Sequence, residues 1–480
     1  MIKNKNYSYG IRLAIIYTLV WFIDLLDAST LNVVLPAIAQ SFQIDPTDAE
    51  WTIVGFLLSM TLGISISSWL GDNYGTKSIF LLSQFIYIGS SIGCGFSLNL
   101  SSLIFFRIFQ GFAGGMAIPL GMSALMKAMP QSNWAKTSAY MNMVTLIAPA
   151  LGPIFGAYVA SMAGWQWIFF LKLPLSGVCY LLSLYWIKKE VANNKSKFDW
   201  GGFILGSLSL SGTLWCFSEV GKNNSGLLCA IALLSLLFGL FFIKVEKTSA
   251  SPLIPLSIFK IHHFSFGNLI QSAANTIFLG ANFLIALYLQ KGLGLDLVST
   301  GWIMAAITPG MIIVQPLLGK FYNRIGPLPF IIPGLIILSL STWGFAFTTP
   351  QTPVSILGLL VFCIGASSSI TQAANVTSIF SSLPNQYKGT GSSLYSLFKQ
   401  ISASFGVALS TMILSIGMML NDSASLNKIP SIGIFHACFI VLGSIPIIAL
   451  ICCNFINNQK ALAQVIQPNH VPSEAEFGTE

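Results

Sequence analysis

The chain has 480 residues, 54% of them hydrophobic and only 8% charged, with a formal net charge of +8. A soluble domain carries about 25% charged residues, and a single soluble core stops growing near about 250–300 residues. Water is therefore excluded as the solvent for most of this surface, and lipid takes its place.

Runs of about 20 apolar residues cross a hydrocarbon core. Fourteen are predicted, near residues 12–35, 50–70, 78–97, 102–126, 137–161, 166–187, 200–219, 226–244, 264–289, 300–319, 327–347, 354–380, 390–418 and 432–455. The first follows a basic start at Lys3, Lys5 and Arg12. It is read as an uncleaved spanning helix, because Ile11 to Leu35 is long enough to span and no small-residue cleavage site follows. It carries Asp24 and Asp27, which stand three apart and share a face. The second run repeats small residues every fourth position at Gly55, Ser59, Gly63 and Ser67 and ends in a turn from Gly71 to Gly75. The fourth holds Arg107 beside Gln110, the fifth holds Ala148, Gly152, Pro153, Gly156 and Ala160, and the sixth holds Lys172. Small stripes let helix backbones approach closely in lipid, and Pro153 permits a bend by removing one helix hydrogen bond.

A basic loop, Lys188 to Lys197, precedes the seventh and eighth runs, which carry no charge at mid-membrane; a second loop, Lys244 to His263, follows them. The tenth run ends from Tyr322 to Gly326 in a turn like that after the second. The twelfth carries another small stripe, Gly365, Ser369, Ala373 and Thr377, and the thirteenth carries Lys399. This weak repeat predicts an all-α polytopic membrane protein made of two six-helix bundles, residues 1–190 and 264–460. Between them lie two inserted spans, residues 191–263, and after them comes a polar, disordered cytoplasmic tail, residues 461–480.

Loop charges test the count. With a cytoplasmic amino terminus, the cytoplasmic connections and tails hold seventeen lysines and arginines, against three on the other side: Lys222, Lys291 and Lys428. That bias follows the positive-inside rule. It accounts for the net charge without nucleic acid as a partner and puts both termini in the cytoplasm.

Each charge at the bilayer centre costs at least about 2.5–3.5 kcal/mol. Asp24, Asp27, Arg107, Lys172 and Lys399 therefore need partners or a water-filled cavity. Static pairing would fix helix packing; a central cavity would let carboxylates gain and lose protons. The eight cysteines lie in apolar runs without metal-ligand spacing, and no P-loop, HExxH or GxSxG pattern occurs. Neither a metal, an organic cofactor nor ATP is expected, and an ion gradient remains as the energy source. A membrane-embedded receptor or enzyme is the rival class, but it would need a clustered nucleophile or metal set that the sequence does not offer.

The chain resembles the fourteen-helix drug:proton antiporters of the major facilitator superfamily over essentially its whole length. The stretch from Leu26 to Pro36 is similar to that group's first-helix signature, with Asp27, Asn32 and Pro36 matching and Ser29 in place of threonine. Ser68 to Lys77 resembles the cytoplasmic loop motif: Asp72, Gly75 and Lys77 match, while Ser68, Asn73 and Thr76 replace a glycine and two arginines. In relatives that aspartate braces the two halves while the cavity faces outward. Leu103 to Gly111 resembles the fourth-helix motif, whose arginine, here Arg107, is implicated in proton coupling. Ala148 to Gly156 resembles the fifth-helix antiporter motif, with Gly152, Pro153 and Gly156 matching.

The resemblance implies a monomeric inner-membrane exporter of small organic molecules, multidrug in type, driven by the proton gradient through alternating access. It makes Asp27 the first choice for the proton carrier, with Asp24 as its partner or a substrate contact and Arg107 tuning both. Asn32, Gln110, Lys172 and Lys399 are expected at the substrate cavity, and Asp72, Gly75, Lys77, Gly152, Pro153 and Gly156 in the moving contacts. One departure bears on substrate. Where the family reads Trp-Arg-Trp-Ile-Phe and then an asparagine, Trp165 to Phe169 has Gln166 and precedes Lys172. Three inner cations against two acids suit an anionic or zwitterionic metabolite, such as a carboxylate siderophore. Alternatively, Lys172 snorkels to the membrane interface.

Overall fold

In the computed structural model the first apolar run is one continuous helix, α1, Ile2–Phe42. The structure describes residues 2–129, 137, 141, 144–188, 198–220, 225–249, 256–381, 383, 388–420 and 431–456, and no strand occurs among them. The loop 189–197 and the tail 461–480 lie outside the described residues.

The remaining helices of the first bundle are α2, Trp51–Tyr74, α3, Thr76–Gly95, α4, Leu100–Ala128, and α5, Ala148–Ala163. α6 covers Trp167–Trp186 and is interrupted at Lys172. Then come α7, Trp200–Glu219, and α8, Ser225–Thr248. The second bundle begins with α9, His262–Leu287, extended by a π-helical turn, Tyr288–Gly292. α10 starts as Leu297–Ala305 and continues through Ile307–Ile313 and Gln315–Ile325. α11, Leu328–Gly344, α12, Val354–Ser381, α13, Lys388–Leu420, and α14, Ile432–Cys453, complete it.

Each predicted span is met by a helix, and eleven helices among the described residues are long and apolar enough to cross a membrane. The described parts of α2 and α5 are shorter apolar helices, and α7 is not among the eleven. Large apolar side chains such as Phe85, Leu236, Leu240 and Ile451 are exposed along the bundle. Such a surface is stable only against lipid. The chain is a multi-pass membrane protein.

Two bundles repeat the same packing. α1 lies on α5, and α2 on α4; α9 lies on α13, and α10 on α12. Glycine makes each approach possible. A Cβ at Gly111 would fall inside van der Waals contact of the Phe56 carbonyl oxygen on α2, and one at Gly365 would strike that of Ile307 on α10. At Gly406 it would meet the Thr276 carbonyl, and at Gly152 the Ser29 hydroxyl. The two similar turns also agree. Gly75 and Gly326 have φ of 89° and 80°, and each donates its amide back four residues to close the preceding helix. Positive φ of this kind costs glycine nothing. Gly111→Val is expected to prise α2 from α4 and destabilise the protein by about 1–3 kcal/mol, read as a lower melting temperature in detergent. Gly89→Val, where a Cβ meets nothing within 4 Å, should leave it unchanged.

The halves are not joined evenly. One large apolar core takes Leu31, Val34, Ile38, Ile53 and Leu57 from the first bundle together with Leu284, Leu287, Val407 and Leu414 from the second. These first-bundle residues lie toward the end where α1 finishes. At the other end the cores are separate. Leu13, Tyr17, Phe80 and Leu125 form one, and Ile258, Phe264, Ile379 and Leu394 form another. Among the described residues the bundles thus close on each other at one end and part at the end where α1 and α9 begin. Gln290, in the π-helical turn, donates to the Val33 carbonyl at 2.9 Å across the closed end. A Cβ at Gly301 on α10 would approach the Pro153 carbonyl on α5 to 2.7 Å.

α7 packs on α2 and α13, one from each bundle, with Phe217 edge-on to Phe405 at 5.3 Å. α8 leans on α7, where Ser209 donates to the Ser235 carbonyl. Most of the apolar side chains of α8 are exposed.

Candidate functional site

Asp27 on α1 accepts one hydrogen bond from Arg107 on α4 and another from Lys172 on α6, one on each carboxylate oxygen. All three side chains are buried, at 2%, 1% and 4% exposure. Arg107 is further held by the Thr52 carbonyl at 2.9 Å and the Gln110 side-chain oxygen at 2.8 Å. Its guanidinium lies 4.0 Å from the Phe56 ring centroid. The Lys172 ammonium lies 4.7 Å from the Phe169 ring centroid and 6.0 Å from that of Tyr87. A charge this deep needs such partners, since an unpaired one would be expelled or neutralised.

Asp24, one turn earlier, is treated differently. It is buried, its Oδ2 has no hydrogen-bond partner, and it makes no ion pair among the described residues. Gly114 on α4 leaves room for it, since a Cβ there would stand 3.0 Å from Oδ1. The two acids that the sequence places on one face therefore divide. Asp27 is fixed between two cations, and Asp24 stands free beside the trio.

The other expected site residues scatter. Gln110 belongs to the ion cluster, with a buried Nε2 that has no partner. Lys172 neither snorkels nor lines an open cavity, because Asp27 holds it in the bundle interior. Asn32 is buried beside Leu31 and Val33, which belong to the core of the closed end. Lys399 is in the other half. It is partly exposed, and its ammonium makes no hydrogen bond or ion pair among the described residues. Gly152 and Gly156 are buried against Ser29 and Thr30 of α1, and Thr30 donates to the Gly152 carbonyl at 3.2 Å. Pro153 sits where α5 meets α10. Lys77 donates to the Leu184 carbonyl at 2.7 Å, in the last turn of α6, a position that suits a cation. Asp72 is exposed and makes no ion pair among the described residues. Among the described residues no ion-pair brace forms at the parted end.

Sequence reasoning missed the second bundle's polar seam. Asn268, Gln271 and Asn275 lie on one face of α9, all buried. Asn275 donates to the Lys399 carbonyl at 2.6 Å, and Asn375 on α12 donates to the Gly267 carbonyl at 2.7 Å. The spacing 268, 271, 275 in an apolar helix was the available signal.

Two similar helical bundles, closed on each other at one end and parted at the other, with a buried ion cluster inside the first, define a membrane carrier rather than an enzyme. The family model of the Major Facilitator Superfamily matches residues 17–407, and the chain belongs to that superfamily. It is 28% identical over 406 residues to the probable transport protein HsrA of Haemophilus influenzae, covering 84% of this chain and 88% of the relative. It is 26% identical over 412 residues to the multidrug export protein EmrB of Escherichia coli, covering 83% and 79%. Among solved structures, an auto-inhibited POT family peptide transporter matches with a TM-score of 0.68 at 12% identity, over 97% of this chain and 99% of that one. That likeness bears on the fold alone.

Proposed function

We propose that the protein is a proton-coupled exporter of small organic molecules, working by alternating access between its two bundles. The observation that carries this reading is the division of labour at α1. Asp27 is neutralised by Arg107 and Lys172, which leaves Asp24 as a buried acid without a cation partner. It is the group that can take up and release a proton without breaking an ion pair, so the carrier role moves from Asp27 to Asp24. Export direction is supported by the resemblance of residues 148–156 to the antiporter motif and by relatives named as multidrug exporters. The lysine bias supports cytoplasmic termini in an inner membrane, with the parted end facing the cytoplasm.

In this cycle a substrate enters from the parted end while Asp24 releases its proton. The bundles then close behind the substrate and open on the far side. There Asp24 is reprotonated as the substrate leaves. The chain reconstituted in liposomes is expected to move an aromatic dye against its gradient only under an imposed pH gradient, and to stop when a protonophore is added. Dye movement insensitive to both would overturn the proposal.

A further inference from the structure

Two membrane-embedded charges without an ion-pair partner among the described residues, one on each bundle, narrow the substrate. Among the described membrane-embedded residues, Arg107 and Lys172 share the single negative charge of Asp27. That leaves one unpaired acid, Asp24, on the first bundle and one unpaired cation, Lys399, on the second. A purely cationic substrate would meet Asp24 but would leave Lys399 facing a second positive charge. A purely anionic one would satisfy Lys399, but protonation of Asp24 would then strengthen its binding, the opposite of what antiport requires. A substrate carrying both charges satisfies both groups, and only its positive group competes with the proton.

The helices also set the spacing. α1 and α9 both run from the parted end to the closed end, and Gln290 meets the Val33 carbonyl. The same Gln290 amide also reaches the Ala286 carbonyl, so Val33 stands level with Ala286, and Asp24, nine residues before Val33, stands level with about Ile277. Asn275, which holds the Lys399 carbonyl, is two residues from Ile277, so Asp24 and Lys399 lie at a similar depth on facing bundles. One turn before Asn275 on α9, the buried Gln271 Nε2 has no hydrogen-bond partner among the described residues. Buried polar groups are ordinarily paired, and a spare N–H donor near an unpaired ammonium suits an oxyanion.

We propose that the transported molecule is a zwitterion whose carboxylate, or similar anionic group, rests on Lys399 while its cationic group pairs with Asp24. This assignment rests on the reading of the chain as an exporter with its site between the bundles. The test uses two dyes that differ only in that charge: rhodamine 110, a zwitterion with a free carboxylate, and rhodamine 123, its cationic methyl ester. Binding is read by fluorescence polarisation to the full chain in lipid nanodiscs, with no gradient present, so a failure of proton coupling cannot affect it. The wild type should bind rhodamine 110 at least about tenfold more tightly than rhodamine 123. Lys399→Gln should erase that preference by weakening rhodamine 110 while rhodamine 123 binds as well as before or better, and Lys399→Arg should keep it. Equal affinity of the wild type for the two dyes, including no binding of either, would overturn the proposal. So would a Lys399→Gln protein that retains the preference. Because Lys399 makes no side-chain bond to lose among the described residues, the variant should remain monodisperse, and a rhodamine 123 affinity no weaker than that of the wild type serves as its folding control.

Discussion

Asp27→Asn is expected to unfold well below the wild-type temperature. The position looks replaceable from sequence, because removing a costly membrane charge ordinarily favours insertion. The structure reverses that expectation. Arg107 and Lys172 are both buried on this one carboxylate, and an asparagine would leave two cations facing a neutral amide. Breaking a buried pair by removing one partner costs about 3–5 kcal/mol, because the remaining charge is stranded. Thermal unfolding of the detergent-purified variant should show the loss, together with reduced yield. The double variant Asp27→Asn, Lys172→Gln removes one charge of each sign and should recover much of the stability, while Asp27→Asn, Gln110→Glu should recover some by giving Arg107 a new acid. An Asp27→Asn protein as stable as the wild type would mean that the trio contributes nothing to holding α1, α4 and α6 together.

Much of this architecture was legible because lipid imposes simple rules. Span positions follow from apolar length, and the repeat from the glycine turns at Gly75 and Gly326, whose positive φ admits few other residues. Asp24, Asp27, Arg107 and Lys172 were legible as a set, since charges are rare at that depth. Their pairing was not. Sequence spacing puts Asp24 and Asp27 on one face but cannot say which of them α4 and α6 reach. That depends on side-chain geometry across three helices: Arg107 is aimed by the Thr52 carbonyl, a backbone atom with no sequence signature. Lys172 shows the same limit, because a lysine near a helix break can snorkel or turn inward, and only the position of Asp27 decides between them. The amides of α9 were overlooked because uncharged polar residues are cheap enough in a membrane helix to pass as packing. Their role appears only when Asn275 is seen holding the backbone at Lys399.

Asp24→Asn should do the opposite of Asp27→Asn. It should fold normally and melt at or above the wild-type temperature, because Asp24 has no cation to strand and the amide fits the same space beside Gly114. What it should lose is coupling. The amide keeps the shape and one hydrogen-bond acceptor of the acid but cannot ionise, so no proton can ride the cycle at this position. In proteoliposomes, dye accumulation driven by a pH gradient should fall at least about tenfold, to the rate seen without a gradient. Exchange of labelled for unlabelled dye at equal pH needs no net proton movement and should persist at a dye concentration raised to offset the lost contact with the dye's cationic group. That contrast separates lost coupling from lost binding or lost rocking. Asp24→Glu, which keeps an ionisable group one methylene further out, should restore part of the driven flux. An Asp24→Asn protein that accumulates dye at the wild-type rate under a pH gradient would place the exchanged proton elsewhere. If the charge-balanced Asp27→Asn, Lys172→Gln protein then lost accumulation while staying folded, Asp27 would be the carrier after all, its ion pairs opening and closing with each turn of the cycle.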